Sequence, residues 1–489
     1  MGRLEQFSAA AEDLGTVLRF ISFATVVPIG FTVYYKEWDM IVPMLTVPLL
    51  LYLIGTTFVC IPKGNKEPQL SHALFSVAFI WIICAAISAV PFTLGINMPY
   101  LDAFFEAMSG WTDTGMTMID NLDTVPYTLL FWRSLMEWLG GLGIVAFTVV
   151  MLSRTSLNPS RFYRSEARSE AFVPSAMQQG IEMWKIYVVL TIAAIAFICI
   201  SGIPLWDAVN IAMTAISTGG FTVHAEGLAY YDNPLLEMLI IPVMIAGAIP
   251  FKIYYFMYYK RQYGFRKDAE AMLLFSLIAL GFAVILFDLL YFNQMNIFDS
   301  VRYAIFMAAA GITSTGFQTT SPGVWAPATT LFLAVLMFIG GSSGSTAGGI
   351  KLSRARMAYR GIVWWIKRSF KSANVIIPFR IGRRVISKTD AELEVSKNML
   401  VIFLYIFVIF VSAILVMHFE PLASDSSEVI FDVISASCNN GISTGFVSSE
   451  LTPMSKILFI FAMWIGRLEI IPVIVFFMFI FKGFNGDIK

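Results

Sequence analysis

Long apolar runs, broken by short polar stretches, cover almost the whole chain. A helix crossing the hydrocarbon of a bilayer needs about 20 mostly apolar residues. Ten stretches have that character: two near residues 16–34 and 40–61, then eight near 72–96, 127–152, 184–203, 234–258, 271–293, 327–350, 398–418 and 454–481. The last eight fall into pairs, and each pair encloses an insert. The inserts open alike, as LDAFFEAM, LWDAVNIAM, IFDSVRYAI and IFDVISAS, with an Asp (Asp102, Asp207, Asp299, Asp432) placed to cap a short helix. Each then reaches a small, polar Thr-Gly strip, at Thr114-Gly115, Thr218-Gly219, Thr315-Gly316 and Thr444-Gly445. The unit is therefore span, re-entrant helix, strip, span. It recurs over 72–170, 171–270, 271–397 and 398–489, after a two-span region at 1–71.

Repetition on this scale means an array or a pseudo-symmetric ring. Irregular backbone at membrane depth survives only when it is buried in protein or lines a wet cavity. The expected fold is an all-α integral membrane protein. Four span–pore helix–span repeats form a pseudo-fourfold ring around one pore, with two extra N-terminal transmembrane helices. Glycine lets successive carbonyls turn toward an axis, and four such strips stack rings of oxygen that replace the water shell of a monovalent cation. The candidate filter is Thr112, Asp113, Thr114 and Gly115; Ile216, Ser217, Thr218 and Gly219; Thr313, Ser314, Thr315 and Gly316; and Ile442, Ser443, Thr444 and Gly445.

Composition agrees. The 489 residues are 57% hydrophobic and 13% charged, against about 25% charged in soluble domains. The net charge of zero gives no global basic field for nucleic acid. Four dispersed cysteines and three scattered histidines make neither a disulfide framework nor a metal-ligand pattern. The start, MGRLEQFSAAAEDLG, lacks the features of a signal peptide, so the first apolar segment is expected to be retained. Lys and Arg set orientation. With both termini cytoplasmic, all of the 33 basic residues except Arg19, Lys36, Arg133, Arg302, Lys456 and Arg467 fall on the cytoplasmic side. The basic stretch 351–397 contains an apolar run of its own, which suits a membrane-surface helix, a docking surface for a cytosolic partner, or both.

FFEAMSGWTDTG, ISTGGF, TSTGF, GGSSGSTAGGIK at 340–351 and GRLEIIPVIV at 466–475 resemble the TrkH/TrkG branch of the Trk/Ktr/HKT superfamily of potassium transporters. The resemblance covers nearly the whole chain, and the extra N-terminal pair favours the Trk-type branch. It implies K+ uptake through one pore per protomer of a homodimer in the prokaryotic inner membrane. It also implies a cytosolic TrkA-type regulatory subunit, an RCK ring binding ATP/ADP or NAD(H), with no cofactor on this chain itself. The filter glycines would be Gly115, Gly219, Gly316 and Gly445. Asp113 departs from the threonine frequent in the family; it either raises cation occupancy at the mouth or faces a helix terminus. The fourth strip, NNGISTGF, departs from the more usual Asn-Asn-x-Gly-Pro-Gly form.

Two further features bear on gating. Gly340, Gly341, Ser342, Ser343, Gly344, Ser345, Thr346, Ala347, Gly348 and Gly349 are ten small residues in a row. Such a run either packs closely against another helix or breaks its own, because each Gly costs about 1 kcal/mol relative to Ala. The resemblance favours a loop under the filter that obstructs the pore. Arg467 lies inside the last apolar span; Glu469, two residues on, points away from it on a helix, and a pore-facing Arg would repel cations. Arg133 and Glu137, spaced i,i+4, read as an ordinary helix-surface pair with no transport role, and Glu106 reads as a structural partner of filter backbone. The alternative to a channel-like transporter is a secondary carrier coupling Na+ or H+, but such carriers favour inverted repeats. Neither a nucleophile motif nor GxxxxGK[ST] is present, so an enzyme is not expected.

Overall fold

The computed structural model describes residues 3–61, 70–154, 176–261, 264–265, 268–371, 377–381, 384–421, 423 and 425–482. The basic stretch PKGNK, all of RTSLNPSRFYRSEAR beyond Arg154, and the tail from 483 lie outside the described residues.

The N-terminal region forms α1 (Arg3–Ala24), α2 (Val27–Tyr34) and α3 (Ile41–Val59). Gly15 and Gly55 let α1 and α3 touch backbone to backbone, since a Cβ on either would meet the carbonyl oxygen of the other. Repeat 1 contains α4 (Leu70–Ser88), α5 (Val90–Ile96), the pore helix α6 (Tyr100–Trp111) and α7 (Tyr127–Arg154). Repeat 2 contains α8 (Ala176–Ile198), the pore helix α9 (Leu205–Ser217), α10 (Pro234–Ala248) and α11 (Phe251–Tyr255). Repeat 3 contains α12 (Ala269–Tyr291), the pore helix α13 (Ile297–Thr313) and α14 (Pro327–Ile339), followed by α15 (Leu352–Ser369). A hairpin of β1 (Phe379–Ile381) and β2 (Arg384–Ile386) then departs from the all-helical expectation. Repeat 4 contains α16 (Lys388–Phe419), the pore helix α17 (Ser426–Ser437), α18 (Pro453–Leu468) and α19 (Ile470–Lys482).

The ring closes through one recurring contact. The second span of each repeat packs against the pore helix of the next: α7 on α9, α10 on α13, α14 on α17, and α18 back on α6. Two ion pairs follow the same rule. Arg302 of α13 meets Glu237 of α10 at 2.6 Å, and Lys456 of α18 meets Asp102 of α6 at 2.6 Å.

Three expected spans are sharply bent or cut short. The span expected at 234–258 bends by 94° between α10 and α11. Ile249 precedes Pro250, and the residue before a proline is driven out of the helical region. The span expected at 454–481 bends by 114°, with Glu469 in the left-handed region at φ 55°. The span expected at 327–350 stops at Ile339. Gly340, at φ 69°, begins an irregular run of backbone, which excludes helix-on-helix packing by the small residues.

The pore-helix caps also differ from expectation. The N-cap positions are Pro99, Pro204, Asn296 and Asp425. Asp102, Asp207 and Asp299 sit in the first turn instead, where the helix dipole still favours an acid. Asp432 lies deeper in α17, fully buried, with a different task described below.

Candidate functional site: a ring of four glycine turns

Each pore helix ends in the same turn. A residue in the left-handed conformation follows the last helical turn: Asp113 (φ 59°), Thr218 (64°), Ser314 (56°) and Asn439 (50°). The next N–H reaches back to the fifth residue before it: Thr114 to Ser109 O (2.9 Å), Gly219 to Thr214 O (2.9 Å), Thr315 to Ala310 O (3.2 Å) and Asn440 to Ser435 O (2.9 Å). A glycine with positive φ comes third: Gly115 (87°), Gly220 (87°), Gly316 (77°) and Gly441 (94°). Left-handed non-glycine residues are uncommon and cluster at functional sites; four in register mark one designed element.

The four turns contact one another in cyclic order. A Cβ on Gly115 would overlap the carbonyl oxygen of Gly219, one on Gly220 that of Thr315, one on Gly316 that of Asn440, and one on Gly441 that of Thr114. Strip 1 therefore touches strip 2, strip 2 touches 3, strip 3 touches 4, and strip 4 touches 1. The base of this ring is where the pore helices end; from there the strips run toward a mouth.

Of the four glycines singled out in the sequence, Gly115 and Gly316 make the turns and Gly219 and Gly445 do not. In strip 2 the turn glycine is Gly220; Gly219 supplies the preceding carbonyl. In strip 4 it is Gly441, four residues before Gly445. Asn439, Asn440 and Gly441 occupy the turn, while Ile442 follows it and Ser443, Thr444 and Gly445 lie nearer the mouth. The latter are tied down by Asp432, which accepts from Ser443 Oγ (2.7 Å), Thr444 N (2.9 Å) and Val447 N (3.2 Å). Ile216 and Ser217 remain in the last turn of α9. Thr112 and Thr313 bond back to Met108 O and Ala309 O (both 2.7 Å), and each also meets the next threonine of its strip, Thr114 and Thr315, at 2.8 Å. The STGG sequence does not say which glycine makes the turn. For strip 4, counting back to the end of the apolar helix would have selected Gly441.

Glu106 stands nine residues before Gly115, as Asp432 does before Gly441. It does for strip 1 what Asp432 does for strip 4, accepting from Met118 N (2.8 Å) and Thr117 Oγ1 (3.0 Å). It also pairs with Arg133, whose Nε lies 2.6 Å away. The expected surface pair of Arg133 with Glu137 is thus not formed, because that face of α7 is buried against pore helix 1 and strip 2. Arg133 also donates to Thr222 O (2.8 Å) and covers the Phe221 ring, while Glu137 accepts from Phe221 N (3.0 Å). Glu106→Gln is expected to cost about 3–5 kcal/mol, since it strands a buried guanidinium. Thermal unfolding in detergent reads this directly, and an unchanged midpoint would show that the pair does not hold the strip.

Residues 340–351 run under the base of the ring. Thr346 Oγ1 lies 3.1 Å from Ile216 O and 3.0 Å from Gly247 O, and Thr218 Oγ1 lies 3.2 Å from it. On the other side, Gly349 N donates to Cys438 O (2.9 Å) at the end of pore helix 4, where Gly348 packs so closely that a Cβ would strike the same oxygen. The run thus bridges strips 2 and 4. Ser342 N and Ser343 N tie it to Ala248 O (3.1 Å) and Glu270 Oε2 (2.8 Å). Arg467 completes the arrangement. Nη1 donates to Thr346 O (3.0 Å), and Nη2 to Gly140 O (2.9 Å) and Asp113 Oδ2 (3.3 Å). Asp113 is therefore at the base rather than the mouth, and it faces an arginine rather than a helix end. Glu469 pairs with Arg354 of α15, not with Arg467.

The family model for TrkH, a cation transport protein, matches residues 53–483. A cation transporter of Methanocaldococcus jannaschii is 32% identical over 468 residues, covering 95% of this chain and 94% of the relative. The Trk system potassium uptake protein TrkG of Escherichia coli is 27% identical, covering 95% and 96%. The crystal structure of the potassium transporter TrkH from Vibrio parahaemolyticus superimposes with a TM-score of 0.84 at 23% identity, covering 96% of this chain and 98% of the other, a likeness of fold.

Proposed function

Because the chain belongs to the TrkH family of cation transport proteins, we propose that it carries K+ across the membrane through the ring of glycine turns. The cyclic contact of those turns carries the proposal. Four strips that meet in cyclic order offer a ring of backbone carbonyl oxygens, as dehydrating a monovalent cation demands. The K+ ligands would be backbone oxygens at and beside Thr114-Gly115, Gly219-Gly220, Thr315-Gly316 and Asn440-Gly441. The same symmetry argues against a cation-coupled symporter, whose site would lie between inverted halves. The relatives are transporters.

The run 340–349 acts as the gate in this reading, with Arg467 beside it. It is supported by placement: the run crosses the base of the ring and is held by hydrogen bonds rather than by packing bulk. Lys351 and Arg354 follow directly, so a pull on α15 would draw the loop out. A cytosolic ring with bound ATP/ADP or NAD(H) would supply that pull, acting on a homodimer whose termini are cytoplasmic. A relative named as part of a Trk system is consistent with such partners.

The deciding test is flux into liposomes holding only the purified chain, comparing K+, Na+ and choline under a voltage reporter. K+-selective flux is expected, strengthened by the regulatory ring with its nucleotide. No flux of any cation, with or without that partner, would end the transport reading.

A further inference from the structure

An arginine under a cation filter poses an electrostatic problem that this chain answers with an acid of its own. Arg467 and Asp113 are both buried, with side chains 6% and 0% exposed. A bare guanidinium there would oppose every cation leaving the ring, because charges interact strongly where water is scarce. Asp113 is placed to prevent this. Its left-handed backbone, at φ 59°, turns the side chain below strip 1 toward Gly141 of α7 and toward Gly219 of strip 2. There Oδ2 receives Arg467 Nη2, while Oδ1 is buried without a hydrogen-bond partner. Arg467 Nε, on the same guanidinium, is likewise buried and unpartnered. An unmatched acceptor and an unmatched donor thus remain on the two members of one pair.

The remaining charges nearby are committed elsewhere. Arg133 is bound to Glu106. Glu137, whose carboxylate converges with Asp113 on Gly219, is held by Phe221 N–H. Lys351 adds a second positive field on Asp113, but its ammonium bonds to Ala347 O.

We propose that Asp113 is the counter-charge of Arg467: it draws the guanidinium to the side of strip 1 and cancels its repulsion, so that cations pass the base of the ring with the arginine in place. Asp113 is on this view a positioning residue and not an ion ligand. The inference rests on the transport reading for its consequence, but the pairing itself can be tested without it.

The experiment is a double-mutant cycle on the full chain with Asp113→Asn, Arg467→Gln and the combination. In K+-loaded liposomes, Asp113→Asn is expected to slow flux about tenfold, the scale of one unit charge acting near an ion path. Arg467→Gln speeds flux, and the double variant matches Arg467→Gln within about twofold, as expected when two sites act as one pair. Asp113→Thr guards against a folding defect peculiar to Asn, and Asp113→Glu should restore part of the flux. Slowing by the same factor in both arginine backgrounds would overturn the proposal, as would no slowing in either. The unfolding midpoints form the second cycle. The double variant should be more stable than Asp113→Asn alone, because it removes the stranded charge. Additive shifts in midpoint would refute the pairing whatever the flux shows. Absence of K+ flux in all the proteins would sink the transport reading instead, leaving the midpoint cycle to decide the pair.

Discussion

Alanine at Gly441 is expected to abolish the preference for K+ over Na+, while alanine at Gly445 leaves it within about twofold of wild type. The two glycines are four residues apart on one strip, yet a methyl group meets different surroundings at each. At Gly441, φ is 94° and the new Cβ would land on the Thr114 carbonyl oxygen of the neighbouring strip. The side chain cannot be accommodated by a rotamer change, because the obstacle is backbone belonging to the ring itself. Strip 1 or strip 4 must move, and a carbonyl ring whose members sit at unequal heights no longer replaces the hydration shell of one ion in preference to another. At Gly445, φ is 100°, so alanine carries a conformational penalty of about 1 kcal/mol. Nothing lies within 4 Å of its Cβ, however, so that penalty stays local. Gly220→Ala should behave like Gly441→Ala, since its Cβ would meet Thr315 O. Competitive K+/Na+ flux with folded variants checks all three. A Gly445→Ala effect as large as that of Gly441→Ala would place the filter where the Thr-Gly repeat alone suggested.

The second large effect concerns the run beneath the ring. Removing Ser343–Ala347 should raise K+ flux in the absence of any partner at least tenfold, on the order of 1.4 kcal/mol of closing energy or more. Thr346→Val tests the same idea with a single hydroxyl. Thr346 can donate one hydrogen bond, to Ile216 O or Gly247 O, whereas the single Thr218 hydroxyl proton has a shorter acceptor in Ser217 O at 2.6 Å. One bond at about 1 kcal/mol corresponds to a shift of roughly fivefold in the closed-to-open ratio. Valine keeps the branched shape, so the change removes the hydroxyl and little else. Deletion of the segment without any rise in flux, in protein that elutes as wild type does, would remove 340–349 from the gate.

The sequence alone determined the class of this protein and its repeat. Apolar length and periodicity report directly on burial in lipid, so the four units and the two preceding helices were legible, although three of the ten expected spans are sharply bent or cut short. For the small residues at 340–349 the sequence left close helix packing and a broken helix both open, and the structure shows the break. The sequence also singled out Asp113, Glu106 and Arg467 as unusual, since charge in an apolar segment is conspicuous on the page. What it could not determine was register and partnership. The Thr-Gly dipeptide recurs four times, but in two repeats its glycine is not the turn glycine, because the turn is defined by where the helix ends and by which backbone meets the next strip. Both are properties of the closed ring. Likewise Arg133 and Glu137 are ideally spaced to bond each other, and only the packing of α7 against pore helix 1 and strip 2 diverts them to Glu106 and Phe221. Arg467 and Asp113 lie at opposite ends of the chain. Their pairing follows from α18 closing on α6, a long-range contact that local sequence does not encode and that the tertiary structure alone decides.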